Sequence, residues 1–211
     1  SGTPPANPKM PVAKNAEYCG KEMELPVLVV NPKSKGVQWT MVYLEQASGG
    51  SVKEKYELDM GDPGRKCDFV QHVVGMVKNK GISMKNTDPV LHNPHTFNDK
   101  HATQFNVALS EKGQVIERKV RAGGVIRLQC DSHVHMNGWI LSLDHGYFAV
   151  TDADGNFKLD NVPPDGKLDR LLHRALATRL PRPLAGRPRG HRLGGRQRGV
   201  PAAARGRRRS G

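Results

Sequence analysis

The stretch "CDSHVHM", residues 130–136, places a thiol, two imidazoles and a thioether within seven positions. A second histidine-rich stretch, "DPVLHNPH" at 88–95, lies upstream. Thiolate, imidazole and thioether are soft to borderline donors, and together they select copper or zinc over magnesium or calcium. Structural zinc sites draw on paired Cys-x2-Cys or His-x3-His units and do not use Met. With one cysteine in the cluster, zinc is the weaker reading. Two histidines, one cysteine and a distant axial methionine form the ligand set of blue copper electron-transfer sites. The chain offers Cys130, His133 and Met136 as C-x2-H-x2-M, with His92 as the fourth donor. His92 lies 38 positions before Cys130, so several strands must intervene and bring the two segments together.

The elements that would do this read as short strands. "LPVLVVN" (25–31), "VQWTMVYLE" (37–45), "DFVQHVVGMV" (68–77), "GISMKN" (81–86), "GVIRLQC" (124–130), "GWILSLD" (138–144) and "YFAVTD" (147–152) are rich in β-branched and apolar residues, with Gly, Pro, Asn and Asp between them. "FNVALS" (105–110) and "GQVIERKV" (113–120) read as a hairpin. "GSVKEKYELD" (50–59) is a candidate short helix, but no helical period persists over a dozen residues within 19–164. Many short strands with frequent turn signals predict an all-β sandwich or barrel. Residues 1–18, rich in Pro and polar side chains, are expected to wrap the surface without regular structure.

Cys19, Cys67 and Cys130 are the three cysteines. An odd count in an exported protein suggests one bridge and one thiol with another task. Cys130 sits among the histidines, so Cys19–Cys67 is the expected bridge. Three reduced, buried thiols in a cytosolic protein are the alternative. Of the other histidines, His72 reads as a satisfied strand residue, and His101 and His145 as surface residues. Met76 and Met84 read as core. Asp152, Asp154 and Asn156 have the spacing of a calcium-loop start, but the long loop and its closing glutamate are missing, so a plain hairpin turn between two strands is expected.

The net charge of +13 is distributed unevenly. Residues 165–211 carry 13 Arg and one Lys against two Asp, while residues 1–164 carry 19 basic and 18 acidic side chains. No nucleic-acid partner is therefore expected for 1–164. The Arg-, Gly- and Pro-rich tail has the composition of a disordered segment. It reads as a basic arm for nucleic acid or anionic membrane, as a solvated tail, or as an out-of-frame reading of a GC-rich gene. No apolar run is long enough to span a membrane, and no signal peptide opens this sequence.

Residues 68–145 resemble the cupredoxin family, close to the amicyanin and plastocyanin type. The C-x2-H-x2-M loop has amicyanin-like spacing, and "NTDPVLHN" resembles the segment that carries the first histidine. The resemblance implies a Greek-key β-sandwich holding one copper ion on His92, Cys130, His133 and Met136, with Asn93 bracing the cysteine loop. His95 and His135 stand close enough in sequence to be alternative ligands. The wider pattern, over 17–164, resembles exported bacterial plastocyanin-like proteins in which such a domain runs into a carboxypeptidase-regulatory-like β segment. "GYFAVTDADGNFKLDNVPP" is similar to the start of that segment. The expected organisation is an irregular 1–18, a copper domain at 19–146, the β segment at 147–164 and the tail at 165–211.

The implied function is single-electron transfer to a redox partner protein, in the periplasm or outside the cell. The electron would leave through an exposed edge of His133 ringed by Val90, Leu91, Pro94 and Val134. No nucleophile–base pair stands out, so the chain does not read as an enzyme. A copper storage or delivery protein using His95 and His135, and a metal-free β-sandwich binding module, are the alternative readings.

Overall fold

The computed structural model describes residues 3–61, 65–164 and, for the backbone, 168–171. Alternation of apolar and polar side chains dictates most of its strands, since a half-buried strand points every second residue inward. In β4 (Lys55–Met60) the inward set is Tyr56, Leu58 and Met60. In β6 (Gly81–Asn86) it is Ile82, Met84 and Asn86, and in β10 (Gly124–Cys130) it is Ile126, Leu128 and Cys130. Cys130 is thus the last inward residue of its strand.

Before these come β1 (Lys9–Pro11), a four-residue helix α1 (Ala16–Cys19), β2 (Glu22–Glu24) and β3 (Met41–Leu44). The remaining strands are β5 (Val73–Val77), β7 (Pro94–Phe97), β8 (Thr103–Asn106), β9 (Val115–Lys119), β11 (Asn137–Leu143), β12 (Phe148–Val150) and β13 (Leu168–Leu171). The architecture is an all-β Greek-key sandwich. A five-stranded sheet in the order β5-β11-β10-β7-β8 faces a three-stranded sheet β4-β6-β9. The chain crosses from one to the other at each step from β4 through β5 and β6 to β7, and again on either side of β9. The main core lies between them and includes Leu58, Met60, Phe69, Met76, Met84, Leu128, Met136 and Ile140. A third sheet, β12-β3-β13, covers the far face of the five-stranded sheet through Trp39, Met41, Val73 and Leu141. Strand β11 therefore buries both faces, with Ile140 on one side and Leu141 on the other, which is why "WILSL" does not alternate.

The structure departs from the sequence reading in several places. Residues 50–59 hold no helix; their second half is β4, whose pairing with β6 outweighs a weak local helical preference. Segments 105–110 and 113–120 are not a hairpin: β8 pairs with β7, while β9 crosses to pair with β6. Residues 25–31 form only an isolated bridge, Val30 with Val37. The N-terminal stretch is more regular than expected, because β1 pairs with β2 around α1. The strand expected after the Asp152 turn is absent, and β3 pairs instead with β13. That strand falls inside the tail expected to be irregular from 165; beyond 171 the tail lies outside the described residues.

Candidate metal centre

Strand pairing solves the separation of the two histidine-rich segments. β7 runs antiparallel to β10 with Pro94 opposite Cys130, and His92 bridges to Leu109 through both its backbone groups at 3.0 and 2.8 Å. His92, Cys130 and His133 therefore converge at one end of the sandwich, with donor atoms all within 4.8 Å of one another. His92 is 0%, Cys130 2% and His133 2% exposed. Cys130 Sγ lies 3.9 Å from His133 Nδ1, and the His92 and His133 rings are 5.0 Å apart between centroids.

The loop that follows Cys130 is closed by its own backbone. Cys130 N–H donates to the Met136 carbonyl at 3.1 Å, and Met136 N–H donates to the His133 carbonyl at 2.9 Å. Met136 is fully buried in the main core. Asn93 braces this loop from the other segment. Its N–H donates to Cys130 Sγ at 3.3 Å, and its carbonyl accepts from Asp131 N–H at 3.0 Å. Its side-chain amide donates to Asn106 Oδ1 and to the Val107 carbonyl.

His92 is held by a carboxylate that the sequence reading passed over. Its Nε2–H donates to Asp88 Oδ2 at 2.9 Å. Asp88 also accepts from the Cys67 N–H at 2.8 Å and from the Tyr18 hydroxyl at 2.9 Å. Asp88 N–H in turn donates to Asn86 Oδ1, and the Asn86 amide donates to the Val90 and Leu109 carbonyls. Gly61 makes room for this carboxylate: a Cβ there would stand 2.2 Å from it, on a backbone with φ of +76°. The available signal was the i, i+4 spacing of Asp88 and His92 within "DPVLH".

These contacts set the electrostatics. Burial pushes the Cys130 thiol up, but the facing rings of His133 and His92 and the Asn93 N–H outweigh it and bring it down to about 6. Burial opposes the charged form of His92, yet the Asp88 carboxylate and Cys130 hold its pKa above the ordinary histidine value. Asp88 is raised by burial and lowered further by its bonds to His92, Cys67 and Tyr18, so it lies below the usual carboxylate range.

The two alternative ligands are not in the cluster. His95 spends both ring nitrogens elsewhere, on Asp131 Oδ2 at 2.8 Å and Thr103 Oγ1 at 2.9 Å. His135 donates through Nε2 to the Cys67 carbonyl at 2.9 Å, and burial lowers its pKa. His145 is buried rather than on the surface, and its Nδ1 accepts from Tyr147 N–H. His72 is buried against Trp39 with Asp68 and the Asn137 carbonyl at its nitrogens, as a satisfied histidine. His101 is exposed, and Met76 and Met84 are core. Asp152 closes a turn by accepting from the Asp154 and Asn156 N–H groups, while Asp154 Oδ1 accepts from the Asn31 amide.

The expected exposed edge of His133 is also corrected. The Cys19–Cys67 disulfide is present, with Cα atoms 5.5 Å apart, and Cys130 is the free thiol. It ties α1 over the ring, so that Asn15 Oδ1 and Cys19 Sγ lie 3.2 and 3.7 Å from His133 Nε2. Of the four surrounding residues, Leu91 and Val134 are exposed, Val90 packs on the Val12–Cys19–Cys67 cluster and Pro94 is buried.

No family model matches the chain, and none of the curated proteins matches it. Among solved structures it is similar to a purple cupredoxin from Nitrosopumilus maritimus, at 17% identity and a TM-score of 0.35, over 41% of this chain and 97% of that one. It is similar to amicyanin from Paracoccus versutus, at 12% identity and a TM-score of 0.36, over 48% of this chain and 96% of that one. A third similarity is to the Cu-containing nitrite reductase (NirK) from Thermus scotoductus SA-01, at 16% identity and a TM-score of 0.35; it covers 47% of this chain and 23% of the reductase.

Proposed function

We propose that this chain is a one-electron carrier that holds a single copper ion on His92, Cys130, His133 and Met136. One observation carries the reading. His92 Nδ1 is buried without a hydrogen-bond partner while Nε2 is fixed on Asp88, beside a low-pKa thiol and a second imidazole. An orphaned buried nitrogen is costly unless something occupies it, and this donor set suits copper. Copper would supply a one-electron couple between its two common oxidation states.

The chain's own residues do the rest. Asp88 orients His92 and fixes its tautomer, the role an outer carboxylate plays on a metal-bound histidine. Asn93 N–H donates to Cys130 Sγ and so stabilises its thiolate. The Cys130–Met136 and Met136–His133 backbone bonds hold the loop in one shape, which limits donor movement between oxidation states. Burial of every donor keeps water out. Leu91 and Val134 are the exposed apolar residues beside the site, and they offer a redox partner protein a contact surface. A disulfide fits an oxidising compartment, the periplasm or the outside of the cell. Among the described residues no helix is long and apolar enough to cross a membrane.

The storage or delivery reading loses the two histidines it would recruit, since His95 and His135 are engaged elsewhere. Adding Cu(II) to metal-free protein tests the proposal: an intense visible thiolate-to-copper band at one ion per chain is expected. Binding without that band would favour storage or delivery, and no binding would leave a metal-free module.

A further inference from the structure

The Cys19–Cys67 pair sits on the opposite side of His133 from Cys130. His133 Nδ1 is 3.9 Å from Cys130 Sγ, and its Nε2 is 3.7 Å from Cys19 Sγ. The two sulfurs of the disulfide and a His133 nitrogen form a second buried group of donors within 4.8 Å. We propose that, once reduced, Cys19 and Cys67 join His133 Nε2 in a second metal site, specific for a soft monovalent ion such as Cu(I).

The geometry suits that ion. Two thiolates and an imidazole are soft donors of the kind that select Cu(I). Cα atoms 5.5 Å apart let two cysteine sulfurs separate from bonding distance to the spacing of ligands on one ion, through side-chain rotation alone. Around the pair pack Val12, Tyr18, Met23 and Val90, a largely apolar surround, and the Asp88 carboxylate also stands within 4.8 Å of the Cys67 sulfur. Among the described residues, Asn15 Oδ1 is the hydrogen-bond partner of His133 Nε2 besides Cys19, at 3.2 Å and on the same N-terminal segment, and the ion would displace it. Cys19 is the more accessible of the two cysteines, at 7% against 0% exposure.

The switch needs a dithiol reductant. Its thiolate attacks at Cys19, the Cys19–Cys67 bond breaks, and the reductant leaves as its own disulfide. Its two electrons and two protons end on the Cys19 and Cys67 thiols. Binding of Cu(I) then forms two copper–sulfur bonds and releases both protons. In the oxidised chain the same pair instead pins α1 over His133 and closes this side.

The site shares His133 with the electron-transfer reading but takes its opposite nitrogen and uses neither Cys130 nor His92, so a Cys130→Ser chain tests it apart from that reading. The test uses full-length Cys130→Ser protein, reduced with a water-soluble phosphine, freed of it without air and titrated with Cu(I) against a chromophoric chelator. Reduction is expected to raise Cu(I) affinity at least tenfold at one ion per chain, with two sulfurs and at least one nitrogen bound by X-ray absorption. Adding His133→Ala should remove most of that gain. In the wild-type chain, where the first ion would take His133 Nδ1 and a second on Nε2 would also displace that ring's remaining proton, the same reduction should raise uptake from one Cu(I) to two, and Cys19→Ser/Cys67→Ser should stay at one. No gain on reduction overturns the proposal. So does a gain indifferent to His133→Ala, which is what two thiols in an unfolded chain would give.

Discussion

Asp88 Oδ2 accepts from both His92 Nε2–H, at 2.9 Å, and Cys67 N–H, at 2.8 Å, so one buried carboxylate joins the candidate ligand to the disulfide loop. The first segment is thereby coupled to the N-terminal cover, which Tyr18 reinforces from the same carboxylate. Asp88→Asn keeps the shape but removes the charge that holds the His92 proton. Copper affinity should fall by about 10–100-fold, the usual cost of losing such a partner. Chelator competition measures it, with far-ultraviolet circular dichroism confirming the fold. Unchanged affinity would remove Asp88 from the site.

Cys130 is the free thiol at the end of β10. Cys130→Ser should abolish the thiolate charge-transfer band of the copper-loaded protein and leave the sandwich folded, because the hydroxyl is near-isosteric with the thiol. A variant that keeps the band would sink the assignment of Cys130 as ligand.

The metal-free protein should show a thiolate at unusually low pH. Against an ordinary value of 9.0, Cys130 titrates at about 6, since the His133 and His92 rings and the Asn93 N–H outweigh burial. Between these values the unfolded chain binds a proton that the folded chain has released. Stability from this group therefore rises with pH, by at most about 1.4 kcal/mol per unit. It is complete above 9 and lost as pH falls through about 6. His92, whose pKa is raised, works the other way and loses its contribution as pH rises through its folded value. Ultraviolet thiolate absorbance, with the disulfide intact, should give a midpoint near 6; a midpoint near 9 would contradict the arrangement.

The candidate donors were legible because their types are rare and their spacing is local: Cys130, His133 and Met136 lie on one loop, and His92 is its matching partner. The strands that alternate cleanly were legible for the same reason, β6 and β10 to the residue. What failed depended on pairing between distant segments. The segment that holds β4 reads as a candidate short helix by itself, and only β6 beside it makes it a strand. β8 and β9 look like a hairpin because they are neighbours in sequence, yet they serve different sheets. The burial of His133 was invisible because its cover comes from residues more than a hundred positions away. No local pattern around "CDSHVHM" encodes that cover.

The disulfide should contribute to stability as well as to cover. Closing a loop with a sequence separation of 48 residues constrains the unfolded chain by about 4 kcal/mol in the chain-entropy model. Cys19→Ser/Cys67→Ser should lower the denaturant midpoint accordingly. It should also speed hydrogen exchange of the Val12 and Cys19 amides, which are bonded to Lys21 and Asn15 carbonyls within the N-terminal segment. Equal exchange in both proteins would mean that β1–β2 pairing alone holds the cover in place.

Two truncations separate the role of β13 from that of the arginines beyond it. A chain ended at Leu171 keeps the β13–β3 pairing and loses 12 of the 13 tail arginines. Its copper affinity and thermal midpoint should match the full chain, because no candidate ligand lies beyond Met136 and the candidate site is at strand ends of the main sandwich. Its salt-dependent adhesion to anionic surfaces should fall sharply, since such attraction is screened beyond about 10 Å at 0.1 M salt. A chain ended at Pro164 also loses β13, leaving one edge of β3 unpaired over Leu168–Leu171's partners Met41 to Leu44. That second cut should lower the thermal midpoint while leaving the copper band intact. If both truncated chains melt together with the full chain, β13 adds nothing to stability. If the cut at Leu171 already weakens copper binding, residues beyond it act on the site and the tail is more than a carrier of charge.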